Sequence, residues 1–140
     1  MLTEREARQY SPLALAFLGD SVYEQLVRES LLMEGNTTSE KLHTSATKRV
    51  CAAFQSAAVE VILPVLTEDE ISVLKRGRNA TGSSVSKSAS IAEYRRATSL
   101  ECLFGYLHLI GNKTRTDELF SLIWQAAPSI ISGGKTCDNG

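Results

Sequence analysis

No stretch of this chain approaches the ~20 consecutive apolar residues that a membrane-spanning helix needs. Its first ten residues, MLTEREARQY, carry charge where a secretion signal would be apolar. Cysteine is scarce: Cys51, Cys102 and Cys137 are odd in number, far apart and without the paired spacing of a zinc site or a disulfide framework. Two of the three lie in apolar helical patterns, the setting of reduced thiols, so a cytoplasmic protein without a membrane partner is expected. Aromatic residues make up only 6%, too few to suggest stacking on the bases of a single strand. Net charge is nearly absent as well, 15 basic residues against 16 acidic. The total therefore demands no polyanionic partner, and any such reading has to come from clustering. No period-2 strand pattern and no repeat of 20–50 residues is present. Secreted, membrane, collagenous and disordered classes are excluded.

What remains is one domain's worth of chain, 140 residues with 43% hydrophobic content, enough for a core without staples. It reads as helix after helix. Thr3 with Glu6, Thr37 with Glu40, Thr67 with Glu70 and Ser90 with Glu93 have the spacing of capping boxes, and Ser11-Pro12 places a capping hydroxyl before a proline. From Pro12 to Glu34 only Gly19 interrupts a pattern about 35 Å long if helical, with Gly35 as its stop. Further helices are expected to about Val50, over 52–63, over 67–80, from Ser90 to Gly111, and from Arg115 to Ala127. The expected architecture is all-α, a bundle of six or seven helices over residues 1–127, followed by a flexible tail over 128–140. Residues 80–90, ATGSSVSKSAS, form the one clear internal loop.

Two carboxylates sit in apolar company. Asp20 lies in LALAFLGDSVYEQLV, one turn from Ala16, Phe17, Glu24 and Val27; Glu101 lies in ATSLECLFGYL, one turn from Ala97, Thr98, Phe104 and Gly105. A lone buried carboxylate costs several kcal/mol unless it is paired, protonated or metal-bound. Each acid is adjacent, or nearly so, to a mid-helix glycine that costs roughly 1 kcal/mol against alanine. One reading pairs each acid with an arginine or a helix cap. The other brings two helices together around a shared site, where carboxylate oxygens and water suit Mg²⁺ rather than zinc. His43 and His108 lack ligand-spaced partners and read as structural or surface residues.

Charge is also clustered. Residues 75–96 hold Lys75, Arg76, Arg78, Lys87, Arg95 and Arg96 against the single acid Glu93, a net of +5 that leaves −6 for the rest of the chain. Together with Asn79 and the hydroxyls of KRGRNATGSSVSK, these groups match the chemistry of phosphate contacts, although a charged loop can also be merely solvated. With no aromatic in the loop, a duplex read along its backbone fits better than a single strand.

The segment FLGDSVYE at residues 17–24 resembles the signature helix of ribonuclease III domains, and SLECLFGYL at 99–107 resembles their second acidic motif. LHTSAT at 42–47, LKRGRNA at 74–80 and YRRATSLE at 94–101 extend the likeness, over residues 10–127, to the Mini-ribonuclease III family, which lacks a double-stranded-RNA-binding domain. The resemblance implies a homodimeric, all-α, Mg²⁺-dependent endonuclease of double-stranded RNA that matures the ends of the 23S ribosomal RNA precursor. A ribosomal protein on that substrate is an implied helper. It places the catalytic, metal-binding pair on Asp20 and Glu101. Phosphate contacts are expected from Lys75, Arg76, Arg78, Asn79, Lys87, Arg95 and Arg96, and Glu24 is expected to be structural. The dimer interface is expected around residues 17–23 and 104–106. Two acids of the wider ribonuclease III pattern are missing, with Ala16 and Thr98 in their places, as in the Mini branch. Their loss leaves the number of ions per site open and motivates a rival reading, a non-catalytic module of the same fold that binds RNA or a ribosomal protein.

Overall fold

Hydroxyl side chains start most of the helices. Thr3, Ser11, Thr38, Thr67 and Ser90 each hold an extended backbone and accept the N–H three residues on, at 3.1–3.2 Å. Asn112 does the same for Arg115 at 3.2 Å. Each satisfies one of the donors that a helix start leaves unpaired. Glu6, Glu70 and Glu93 reach back to complete capping boxes. The computed structural model, which describes residues 1–80 and 90–137, accordingly shows helices α1 (Glu4–Arg8), α2 (Pro12–Glu34), α3 (Ser39–Val50), α4 (Ala52–Ile62), α5 (Glu68–Arg78), α6 (Ile91–Leu109) and α7 (Lys113–Ser132). A 3₁₀ turn at Leu63–Val65 separates α4 from α5. No strand occurs among the described residues, so the expected all-α bundle is what forms. No described helix is long and apolar enough to cross a membrane.

Helix α6 runs through the centre. Every residue from 97 to 107 is buried except Glu101, so the helix has almost no polar face, as a core helix should. Helices α2, α4 and α5 pack around it, and α7 covers α4. On the α2–α7 side, Tyr23 lies edge-on to Phe104 and to Phe120, with centroids 5.7 and 5.8 Å apart, and Phe120 stacks on Trp124 at 5.9 Å. The Arg49 guanidinium closes that column 5.0 Å above the Trp124 ring. The Tyr23 hydroxyl, buried at the other end, donates to the Arg49 carbonyl at 2.7 Å. Elsewhere Arg115 at the start of α7 binds both carboxylate oxygens of Glu70 at 2.8 Å and the Val65 carbonyl at 2.7 Å. Burial alone would raise the Glu70 carboxyl, but these bonds and the Thr67 cap hold it below its ordinary value.

Two boundaries differ from expectation. Thr38, one residue later than Thr37, caps α3. The last helix does not stop before Pro128 but runs through it to Ser132, so the expected boundary at 127 falls inside it. Proline removes one intrahelical donor and crowds the carbonyl four residues back, at a cost of about 3 kcal/mol, while Ala127 and Ile130 continue the stripe that the helix buries. Beyond it the Thr136 hydroxyl donates to the Lys48 carbonyl at 2.6 Å and the Cys137 N–H to the Cys51 sulfur at 3.1 Å.

Candidate active site

Helices α2 and α6 touch backbone to backbone. A Cβ placed at Gly19 would fall on the Glu101 carbonyl oxygen and lie 2.8 Å from the Gly105 nitrogen; one placed at Gly105 would fall on the Leu15 carbonyl. Facing residues descend on α6 from 105 to 101 as those on α2 rise from 15 to 19, so the helices run antiparallel. The mid-helix glycines that looked costly in the sequence are thus what lets the two acid-bearing turns meet. Gly77 performs the same service for α5: a Cβ there would lie 2.7 Å from that of Cys102 and 2.9 Å from the Ser99 Cα. The last turn of α5 is thereby seated against the turn of α6 that carries Glu101.

The two carboxyl groups adjoin one another. Asp20 is exposed rather than buried in an apolar face, a correction to the sequence expectation: the buried stripe of α2 is Leu15, Ala16, Gly19, Tyr23, Val27 and Leu31, and Asp20 stands at its edge. Glu101 lies half-buried beneath it. Burial first, and then the neighbouring Asp20 carboxyl, push Glu101 up to about 8, while the side-chain amide of Gln55 works in the opposite direction. Among the described residues no lysine or arginine forms an ion pair with either acid, which removes the arginine-pairing reading. Glu24 does pair, with Arg28 one turn on at 3.0 Å, matching its expected structural role. Ala16 is buried, and the Thr98 hydroxyl donates to the Tyr94 carbonyl at 3.1 Å. Among the described residues no cluster of three or more His, Cys, Asp or Glu side chains is placed to hold a metal ion, and the acids that meet here are these two. Two adjacent acids at a solvent opening, without a basic partner, fit a hard divalent cation that completes its shell with water.

That arrangement fixes a pH dependence. Without metal, the folded chain keeps a proton on Glu101 up to about 8, whereas the unfolded chain releases it near 4.5. Its contribution is therefore fully present below 4.5 and is lost as pH climbs through about 8. Glu101→Gln keeps the shape and abolishes the titration. Urea melts of the metal-free variant should lose less stability than the parent between about pH 5 and pH 8. Parallel profiles would contradict the burial of Glu101 beside Asp20.

The predicted phosphate-binding residues divide into two groups. Lys75, Arg78, Asn79 and Arg95 are exposed, and Lys75, Arg76 and Asn79 line one open groove with Pro12, Glu68 and Ile71. Arg76 itself donates to the Arg8 and Tyr10 carbonyls at 3.0 and 3.2 Å, holding the segment between α1 and α2. Arg96 pairs with Glu60 at 2.8 Å. Lys87 lies outside the described residues. His43 and His108 are both exposed. The expected interface around 104–106 does not survive: Phe104, Tyr106 and also Tyr23 are buried within the single chain. Phe17, by contrast, is 84% exposed. Sequence reading passed over Gln55, which is buried with its Nε2 donating to the Val50 carbonyl at 3.1 Å. The signal was there, because a lone amide in AAFQSAAVEV is as conspicuous as Asp20 in its own stretch.

Comparison with known proteins identifies the family. Residues 13–112 match the Ribonuclease III domain family. The chain is 40% identical to the Mini-ribonuclease 3 of Brevibacillus brevis, over 92% of its own length and 93% of that protein. It is 44% identical to the Mini-ribonuclease 3 of Symbiobacterium thermophilum, over 89% and 92%. A crystal structure of a protein from Fusobacterium nucleatum superposes with a TM-score of 0.78 at 28% identity, over 85% of this chain and 95% of that one. The matched span contains both acids and the glycine contact that brings them together. The chain belongs to the Mini-ribonuclease 3 family of ribonuclease III domain proteins and is an endoribonuclease.

Proposed function

We propose that the protein cleaves double-stranded RNA with Mg²⁺ held by Asp20 and Glu101, and that its substrate is the precursor of 23S ribosomal RNA. The observation that carries this reading is the meeting of the two carboxyls, unpaired by any described cation, at the one residue of the 97–107 run that opens to solvent. Bound there, the ion supplies a polarised phosphoryl oxygen and an activated water. The two acids orient it, and both must be ionised to do so. Lys75, Arg78, Asn79, Arg95 and Lys87 are assigned to the phosphates. Arg76 and Arg96 shape the same surface while held by the chain's own groups. A-form RNA presents a wide, shallow minor groove, so recognition rests on shape and backbone. The test is a duplex RNA hairpin incubated with Mg²⁺: cutting that stops on chelation supports the reading, and cutting that persists with chelator overturns it.

Two further outcomes follow from the surface. Lys75→Ala with Arg78→Ala should weaken duplex affinity and lower the slope of log Kd against log salt by about two, one for each lost phosphate contact. Filter binding across a salt series measures it, and an unchanged slope removes those residues from the contact. Phe17 and Asp20 share a face of α2, three residues apart, so a second copy seated on Phe17 would bring two sites together about a two-fold axis, one for each strand. Phe17→Glu should halve the mass seen by sedimentation equilibrium; an unaltered mass places the interface elsewhere. A ribosomal protein on the substrate remains part of the proposal as a helper.

A further inference from the structure

Gln55 resides in the core yet behaves unlike a core residue. It lies on α4, against α6, and is 1% exposed. Its amide is fixed at one end: Nε2 donates to the carbonyl of Val50, the last residue of α3, where the extended backbone at Cys51 breaks the helix and frees that acceptor. The bond also decides which way the amide points, since exchanging nitrogen and oxygen would set two acceptors against each other. The amide of Gln55 also lies near enough to the Glu101 carboxyl to favour its ionised form, across the contact of α4 with α6. Its Oε1 is buried with no hydrogen-bond partner. Packing does not account for such a group. An apolar side chain of similar volume would fill the space and leave no buried oxygen unsatisfied.

We propose that Gln55 is a positioning residue of the site, anchored on the Val50 carbonyl and fixing the direction in which the Glu101 carboxylate faces the divalent cation. This rests on the reading of Asp20 and Glu101 as that cation's ligands. The residue type follows from the surroundings. Two carboxyls already adjoin here, so a third acid would add repulsion, whereas a neutral donor favours the ionised form of Glu101 without adding charge. In a site with only two acids, the direction of each one matters more than it would in a fuller ligand set.

The test measures Mn²⁺ binding by calorimetry on the full chain without RNA, for the parent, Asp20→Asn and Gln55→Met. Gln55→Met keeps the length and removes both amide functions. We expect it to weaken Mn²⁺ binding about 10–100-fold, the usual effect of removing a group that orients a metal ligand, and high Mn²⁺ to restore cleavage. A purely structural role would move the melting temperature and leave the affinity alone. If the parent and Asp20→Asn bind Mn²⁺ alike, the cation reading falls and this inference with it. If Asp20→Asn weakens binding and Gln55→Met does not, only the inference about Gln55 is overturned. Should Gln55→Met fail to fold, the parent itself decides. Its Gln55 side-chain amide proton resonances should shift on titration with Mg²⁺, and a pair unmoved at saturation overturns the proposal.

Discussion

Asp20→Asn should give a folded protein that still binds duplex RNA and cuts it on the order of 10³-fold more slowly. The magnitude follows from the several kcal/mol a bound cation contributes to charge neutralisation in the transition state, at 1.36 kcal/mol for each factor of ten. Asparagine keeps the size and one oxygen but removes the negative charge that holds the ion. Asp20 is exposed and makes no ion pair with a described cation, so the variant should fold. Single-turnover cleavage of a labelled hairpin, with duplex affinity measured alongside, separates chemistry from binding. Undiminished cutting by Asp20→Asn would place the chemistry elsewhere. A parent that binds duplex and never cuts it would refute the assigned site.

The largest loss of stability is expected at Gly19, and there two effects of opposite sign compete. Helix propensity alone predicts that Gly19→Ala stabilises the protein by about 1 kcal/mol, because alanine is the better helix former. The contact predicts the reverse, since the added methyl would coincide with the backbone carbonyl of Glu101 and lie within 2.8 Å of the Gly105 nitrogen. Neither obstacle is a flexible side-chain end that can turn away; one helix must move off the other. Overpacking of this kind costs at least 1–3 kcal/mol, and a clash with backbone belongs at or beyond the top of that range. We therefore expect a net loss of roughly 3 kcal/mol in urea unfolding, together with a drop in cleavage, because the same displacement separates the two acids. Gly105→Ala, whose methyl would meet the Leu15 carbonyl, should behave alike. A stabilised Gly19→Ala would mean that α2 and α6 do not meet through this pair.

The helices were legible because their start signals are local. A hydroxyl three residues ahead of a glutamate is a local signal, and the capping boxes at Thr3, Thr67 and Ser90 form as read, whereas at Thr37 and Glu40 the cap passes to Thr38. What misled was a rule applied without its tertiary context: Pro128 looked like a stop, but the apolar stripe beyond it outweighs one missing hydrogen bond. At the site, the pairing of Asp20 with Glu101 was legible from two glycines beside two acids. Its exposure was not, because a position at the edge of a buried stripe differs from one inside it by a fraction of a turn. Arg76 and Arg96 show the limit for charges, since composition counts cations and cannot tell that one holds the Arg8 and Tyr10 carbonyls and the other holds Glu60. Gln55 was visible as a lone amide among apolar neighbours, but its seat against α6 was not, because no local pattern encodes the contact of α4 with α6.

The aromatic column offers something of practical use. Trp124 is the chain's single tryptophan, and through Phe120 its ring connects to Tyr23, three residues along the same helix from Asp20. The protein therefore contains its own fluorophore, placed where α7 meets the end of α3. Its emission should change when those helices part, so the unfolding of every variant described above can be followed by light, without a dye and without altering a residue.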